Sequence, residues 1–469
     1  RLAGITPSAD LTQDLLRDHF IKPIDERDTD AGWLFIHGML REALELHARQ
    51  NDRYGSHHRH CVALLRSQGR HGPRLARHLR EAGDLHGSLE PIRRSIEQHL
   101  DAGDDRASAA ALLEWRDTLR SMGVPENSPA WIEPEIAECY ISILRGNLDT
   151  ADRIASEQGA KAEQGLLNGV LCQCRTIQGK IALDRGRYGD ALKLLHLAIA
   201  AYDDLDRPDL WARCQLNLAS AHRALADYDA ALAAYGEAEK AFLSVDDVVR
   251  AAHCMLGRAH IARRRGAVDT AASLIEDARE ELTKAGARAG VAASLHAQGE
   301  VHRMKGQLDE AEGAYREARE RYSHIGSPKS VWVELDLATV LIARGGFLEA
   351  GLLLHRALSA SISQGRRILE LKARTNLICC SGHDRDWHAW DTQMQHVDII
   401  MASTHAADID IAQQFTLASS FARDAGHWDR GIRALTLAKA QWTAMGRTAD
   451  VARISQSIAE LKKMSDSWA

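Results

Sequence analysis

The sequence predicts an all-α fold of stacked helical hairpins. Three observations carry that expectation: scarce proline, few aromatics and an internal repeat of 40 residues. Only 9 of the 469 residues are proline, about 2% against an average usage of about 5%. Proline breaks helix interiors and collects in turns, so its scarcity points to stacked helices. Aromatic residues make up 5%, too few for a sandwich, barrel or propeller of ordinary composition. The 45% hydrophobic and 26% charged residues also exclude a disordered chain.

The repeat orders the chain from about residue 130 onward. It reads Gly-x-(Tyr/Leu)-x-x-Ala, in the copies Gly146-Leu148-Ala151, Gly186-Tyr188-Ala191, Ala226-Tyr228-Ala231, Gly266-Val268-Ala271, Gly306-Leu308-Ala311 and Gly345-Phe347-Ala350. Successive terminal alanines lie 40, 40, 40, 40 and 39 residues apart. A degenerate copy falls at Trp387-Trp390 and a further one at Gly426-Trp428-Gly431. Four residues past the alanine comes a bulky residue: Leu195, Tyr235, Ile275, Tyr315, Leu354 and Leu435. Seven past it comes another alanine: Ala198, Ala238, Ala278, Ala318, Ala357 and Ala438. Offsets of 0, 4 and 7 share one helical face, where the alanines admit a close neighbour and the large residue fills the gap.

The glycine that opens each copy suits a helix C-cap, which needs positive φ. Arg145, Arg185, Arg265, Lys305 and Arg344 precede that position and oppose the negative end of the helix dipole. Each repeat is therefore expected to be helix, tight turn, helix. Pro208 and Pro328 sit at the same point of their repeats, in the expected inter-repeat loop. Near the end, Val451, Ile454, Ile458 and Leu461 form one apolar stripe, expected on a closing helix over 449–465.

The string Asn217-Leu218-Ala219, Ala226-Asp227-Tyr228-Asp229-Ala230-Ala231, then Tyr235 and Ala238 resembles a tetratricopeptide repeat. The usual period is about 34 residues, and the longer version here is similar to the extended repeats of bacterial signalling and scaffold proteins. The resemblance covers 131–469. It implies a right-handed superhelical solenoid whose inner groove is lined by the first helix of each pair.

Residues 1–130 lack the period. Trp33-Leu34-Phe35-Ile36-His37 is a strand-like run after an Asp/Gly-rich turn, and a helix is expected from Met39. The string Phe35-x-His37-x-x-Leu40-Arg41-Glu42 resembles the end of the winged-helix segment of multidomain signal-transduction ATPases. Leu75-Ala76-Arg77-His78-Leu79, Ala82-Gly83-Asp84 and Ala102-Gly103-Asp104 resemble the helical linker of that family. We therefore expect a winged-helix-like remnant over 1–60 and a helical linker over 61–130. The opening residue is Arg1, which leads us to expect a piece of a longer protein. There is no Gly-x-x-x-x-Gly-Lys-Ser/Thr loop; Gly179-Lys180 runs into Ile181. Asp-Phe-Gly and His-Arg-Asp triplets are absent too, so any ATPase or kinase of the parent protein is expected upstream.

Charge and cysteine bound the setting. With 59 basic and 65 acidic residues the net charge is −6, which suits a cytosolic protein and does not favour nucleic acid. The 8 cysteines are sparse for a disulfide scaffold, and there is no apolar run long enough to span a membrane. Cys174, Cys214 and Cys254 share one repeat position, which points to packing rather than metal. His57-His58-His60-Cys61 could bind zinc or begin an exposed helix. Asp384, Asp386, His388 and Asp391 could suggest hydrolytic chemistry; a distorted repeat filled by Trp387 and Trp390 is the plainer reading.

Binding, not catalysis, is the expected function, with no cofactor. Arg223, Arg263 and Arg303 recur at 40-residue spacing on the face expected to line the groove. Lys180 and His260 lie three residues earlier in their repeats, Arg213 further back, and Arg423 later in register. A guanidinium column could hold a protein partner or an acidic peptide through bidentate hydrogen bonds; the competing reading is a solvated polar face. The family resemblance implies a sensor arm that regulates an upstream ATPase or kinase of the parent chain. The alternatives are a stand-alone peptide-pheromone receptor, or a transcription regulator touching DNA through its N-terminal segment.

Overall fold

A computed structural model of the chain describes residues 21–25, 28–35, 38–69, 72–202, 207–404 and 408–468. Among the described residues, one two-stranded hairpin is followed by twenty-two α-helices. The chain divides into two compact units: residues 1–98 with 106–134, and residues 99–105 with 135–469.

In the first unit, β1 (Ile21–Asp25) and β2 (Asp28–Phe35) pair antiparallel, with Ile21 opposite Phe35 and Pro23 opposite Trp33. The strand-like run Trp33–Phe35 is thus in a strand, while Ile36 and His37 lie outside the described residues. Helices α1 (Gly38–Gln50), α2 (Tyr54–Ser67) and α3 (Pro73–Glu81) follow. After them come α4 (Leu85–Ala102), whose last turn falls in the second unit, and α5 (Asp105–Ser121); α6 (Ile132–Leu144) belongs from Glu135 onward to the second unit. Val62, Leu75 and Leu79 form a small core between α2 and α3. His58 Nδ1 lies 2.8 Å from His78 Nδ1. Burial is the main cause that pushes His78 down to about 4, with the neighbouring His58 adding to it. His57, His58, His60 and Cys61 therefore lie along one helix, with His58 engaged across to the next.

The second unit is the repeat array. Helix α7 (Leu148–Gln164) leads into seven hairpins. These are α8 (Asn168–Asp184) with α9 (Tyr188–Tyr202), α10 (Pro208–Ala224) with α11 (Tyr228–Ser244), and α12 (Val248–Arg264) with α13 (Val268–Lys284). Then come α14 (Arg288–Met304) with α15 (Leu308–His324), and α16 (Ser330–Ala343) with α17 (Phe347–Ser363). The last are α18 (Arg367–Asp384) with α19 (Trp387–Ser403) and α20 (Ile409–Asp424) with α21 (Trp428–Ala444). Helix α22 (Thr448–Trp468) closes the array, with Ile454 and Leu461 buried against Leu435 and Trp442.

The turns form as their residues require. Gly146, Gly186, Gly266, Gly306, Gly345 and Gly426 all have φ between 73° and 82°. Ala226 takes the same left-handed backbone at φ 60°, where a Cβ is unfavourable. The cations before these positions do more than face the helix dipole. Each reaches back to an acid at the start of the preceding second helix: Arg185 to Asp152 at 2.5 Å, Arg265 to Asp229 at 2.6 Å, Lys305 to Asp269 at 2.9 Å and Arg344 to Asp309 at 2.5 Å. Asp229 and Asp269 are almost fully exposed, so each such pair contributes at most about 1 kcal/mol. Pro208 is the first residue of α10, where the missing N–H is an orphan in any case.

The bulky repeat residues meet glycines on adjacent helices: Tyr235 on the helix that follows it and Tyr315 on the helix that precedes it. A Cβ placed on Gly257 would lie 2.3 Å from Tyr235 Cζ, and one on Gly299 would lie 2.5 Å from Tyr315 Cε1. In the irregular hairpin α18/α19, Trp390 takes the repeat's alanine position and is fully buried. Gly382 makes room for it, since a Cβ there would sit 2.7 Å from Trp390 Cζ3. Asp386 caps α19 by accepting from Ala389 N at 2.9 Å, and Asp391 pairs with Arg430 at 2.7 Å. Those acids serve the fold. Cys174, Cys214 and Cys254 are fully buried, and burial pushes each thiol up to about 12. Their common position is a packing position.

Candidate functional site

Helices of a curved array lie closer together on the inside than on the outside. The first helices of successive hairpins, from α8 to α20, touch one another, whereas the second helices make no comparable mutual contact among the described residues. The first helices therefore form the concave wall. Arg213, Arg223, His260, Arg263 and Arg303 lie on these first helices.

The arginines do not stand as an open column. Arg263 is 5% exposed, and its Nη2 donates to Glu300 Oε1 at 2.7 Å. Another of its N–H groups faces His260 Nδ1 at 3.2 Å. Arg303 pairs with Asp410 at 2.9 Å, bridging α14 and the first turn of α20. Arg223 donates to the Tyr235 hydroxyl at 3.3 Å. Arg213 lies 5.8 Å from the ring centroid of Tyr140, within cation–π reach. Lys180 pairs with Asp184 at 2.6 Å in its own last turn. Arg423, in contrast, pairs with its neighbour Asp424 and is half exposed, apart from the cluster.

Residues that the repeat register did not single out complete the wall. Lys372 on α18 reaches Asp408 at 3.2 Å and Asp410 at 3.6 Å. Arg264 comes within 3.8 Å of Asp408. His296 Nε2 sits 2.7 Å from Asp336 Oδ2. Burial opposes charge on both partners, yet the mutual hydrogen bond holds His296 above and Asp336 below their usual values. His260 goes the other way. Burial first, then the charges of Arg223, Arg263, Arg264 and Lys372, hold it well below the usual histidine value, so it is neutral at pH 7.

Two of these partners were legible. Glu300 occupies the repeat position of His260, 40 residues on, and Asp336 likewise follows His296. Asp408 and Asp410 were not, because besides the neighbouring Lys372 they answer Arg264 and Arg303 from distant repeats. The arrangement is a polar wall of five cations, Arg223, Arg263, Arg264, Arg303 and Lys372. Four acids, Glu300, Asp336, Asp408 and Asp410, are interleaved with them. Among the described residues no cluster of three or more potential metal ligands occurs, and no helix is long and apolar enough to cross a membrane.

No family model and no curated protein sequence matches the chain. Among solved structures it is similar to a Rap protein complexed with Competence and Sporulation Factor. That match has a TM-score of 0.53 at 12% identity and covers 81% of this chain and 98% of that one. It is also similar to NprR in complex with its cognate peptide NprX, with a TM-score of 0.52 at 14% identity, covering 74% of this chain and 96% of that one. At such identities the likeness is one of fold: a tetratricopeptide-like helical solenoid.

Proposed function

We propose that the array is a peptide receptor whose concave wall takes an extended peptide or protein segment bearing acidic groups, and that its role is binding rather than catalysis. The observation that carries this reading is the interleaved charge on the first helices. Buried ion pairs add little net stability over apolar packing of the same volume, because desolvation offsets their attraction. A wall built of them is poorly explained as a stabilising device. It offers a peptide what a bound backbone needs, namely donors and acceptors held in place by rigid helices. Both solved neighbours are described with a bound factor or cognate peptide, which supports the same use of this fold.

Two settings fit such a receptor. One is the sensor arm of a multidomain signalling protein, where an occupant biases an upstream ATPase or kinase. The other is a stand-alone peptide-pheromone receptor. We favour the second, because the likeness runs through 98% of the Rap chain and 96% of the NprR chain.

The test is binding of a synthetic pool of random hexapeptides to the full chain, read by mass spectrometry of the retained species. Hydrogen exchange is then measured with a retained peptide. Protection should fall on α10, α12 and α14 rather than on α11, α13 and α15. Retention of nothing, or protection confined to the second helices, refutes the reading.

A further inference from the structure

One buried arginine of the array has no acid paired directly with it. Arg366, the residue before α18, is 7% exposed, and its Nε is enclosed with no hydrogen-bond partner; burial lowers its guanidinium from the usual value, and the charge of Asp184 opposes that without a direct ion pair. Elsewhere the buried arginines are answered: Arg263 by Glu300, Arg303 by Asp410 and Arg374 by Glu370 at 2.9 Å. A buried charge left alone is costly, and proteins normally pair it.

The surroundings of Arg366 make the exception sharper. The start of α18 lies against the end of α8, where a Cβ on Gly186 would be 3.2 Å from Ile368 Cγ1. That last turn of α8 holds Lys180 and its partner Asp184. Lys329, just before α16, keeps exposed surface, yet its ammonium is held below the usual lysine value. Burial is the main cause, Lys180 and Arg366 add to it, and Asp184 opposes. The corner therefore holds three cations and one carboxylate, and that carboxylate is already engaged by Lys180. Two residues before Arg366, Gln364 Oε1 is likewise enclosed with no donor. Its side chain packs on the Gly146 turn, where a Cβ would lie 3.1 Å from Gln364 Cδ.

We propose that the corner formed by Arg366, Lys329 and Lys180 is the subsite for the C-terminal carboxylate of the bound peptide. This rests on the peptide-receptor reading. The guanidinium fork matches a planar carboxylate, and the ammonium groups add charge without demanding geometry. A peptide terminus also brings a backbone N–H that can answer Gln364 Oε1, whereas a bare inorganic anion such as sulfate brings only charge. The subsite would fix the direction of the chain along the wall.

The test uses the full chain and two synthetic random hexapeptide pools, one with free C-termini and one amidated. Wild type should retain the free-acid pool about tenfold more strongly, the scale of a charge-assisted hydrogen bond. Arg366→Met should lose that preference while its thermal midpoint stays level or rises, because an unpaired buried charge is removed. Lys329→Gln, at a more exposed position, should weaken the preference without unfolding anything. Equal retention of both pools by wild type overturns the subsite and leaves the receptor reading standing. Retention of neither overturns both. A clearly lower midpoint for Arg366→Met shows that the guanidinium has a structural partner and overturns the subsite as well.

Discussion

Two glycines in one hairpin should respond to alanine with opposite signs. Gly299 lies inside α14 and Gly313 inside α15. Glycine to alanine in a helix interior gains about 1 kcal/mol from backbone entropy and propensity, and that gain is common to both sites. At Gly313 a new Cβ meets nothing within 4 Å, so Gly313→Ala should stabilise by about that amount. At Gly299 it would lie 2.5 Å from Tyr315 Cε1 and 2.6 Å from Cδ1. Ordinary carbon contacts are about 3.5–4 Å, so the ring must retreat by about 1 Å. Tyr315 is fully buried, and its ring lies 5.6 Å from that of His296, centroid to centroid. Forced overpacking of this kind costs about 1–3 kcal/mol. The propensity gain cancels between the variants, so Gly299→Ala should fall below Gly313→Ala by about that same 1–3 kcal/mol. Urea unfolding followed by circular dichroism measures the sum. Hydrogen exchange in α14 and α15 measures it locally, which matters because repeats open in segments. Equal stability, or Gly299→Ala the more stable, would refute the packing of Tyr315 into the Gly299 notch and with it the assigned register.

Two further outcomes concern the wall. Asp410→Asn removes the charge that answers Arg303 and Lys372, and breaking a buried pair from one side should cost about 3–5 kcal/mol. The double change Asp410→Leu with Arg303→Met should cost distinctly less in urea unfolding; equal losses would contradict a buried pair. Lowering the pH should also destabilise the array. Burial is the first cause that lowers His253, to about 3, with Lys329 and Arg250 adding and Asp247 opposing; His260 is lowered in the same sense. A depressed folded value means that the unfolded chain takes up the proton first. Their stabilising contribution is therefore complete above about pH 6.5 and is lost below it, by at most about 1.4 kcal/mol per pH unit for each histidine. His296 opposes this with a raised value, leaving a net loss from two against one. The urea midpoint should fall from pH 7 to pH 5, and less steeply in His253→Gln; a constant or rising midpoint counts against buried neutral histidines.

The repeat made most of the array legible. The alanine and bulky positions are buried as their helical spacing requires, and the turn glycines have the positive φ that their place in the motif demands. The irregular hairpin was harder. Trp387 and Trp390 marked it as distorted, but Gly382 as the compensating notch became visible only once the two helices faced each other. On the wall, Glu300 and Asp336 could be found by carrying the 40-residue register across, since they follow His260 and His296. Lys329 and Arg366 lie beside loops, where the repeat is irregular and the register gives no address.

Sequence alone determined the helices, their turns and their pairing, because those depend on signals within a hairpin and on nearest neighbours. Helical spacing, C-cap glycines and small-against-large packing all act over a few residues. Tertiary structure decided what the concave wall is. A column of arginines at fixed spacing reads as open charge until the accumulated rotation between repeats brings Asp410 to Arg303 and Asp408 to Arg264. The same curvature sets Arg366 near the end of α8, where the acid Asp184 is already paired with Lys180. Small angular steps, summed over several hairpins, choose the partners across the array, and no local pattern encodes that sum.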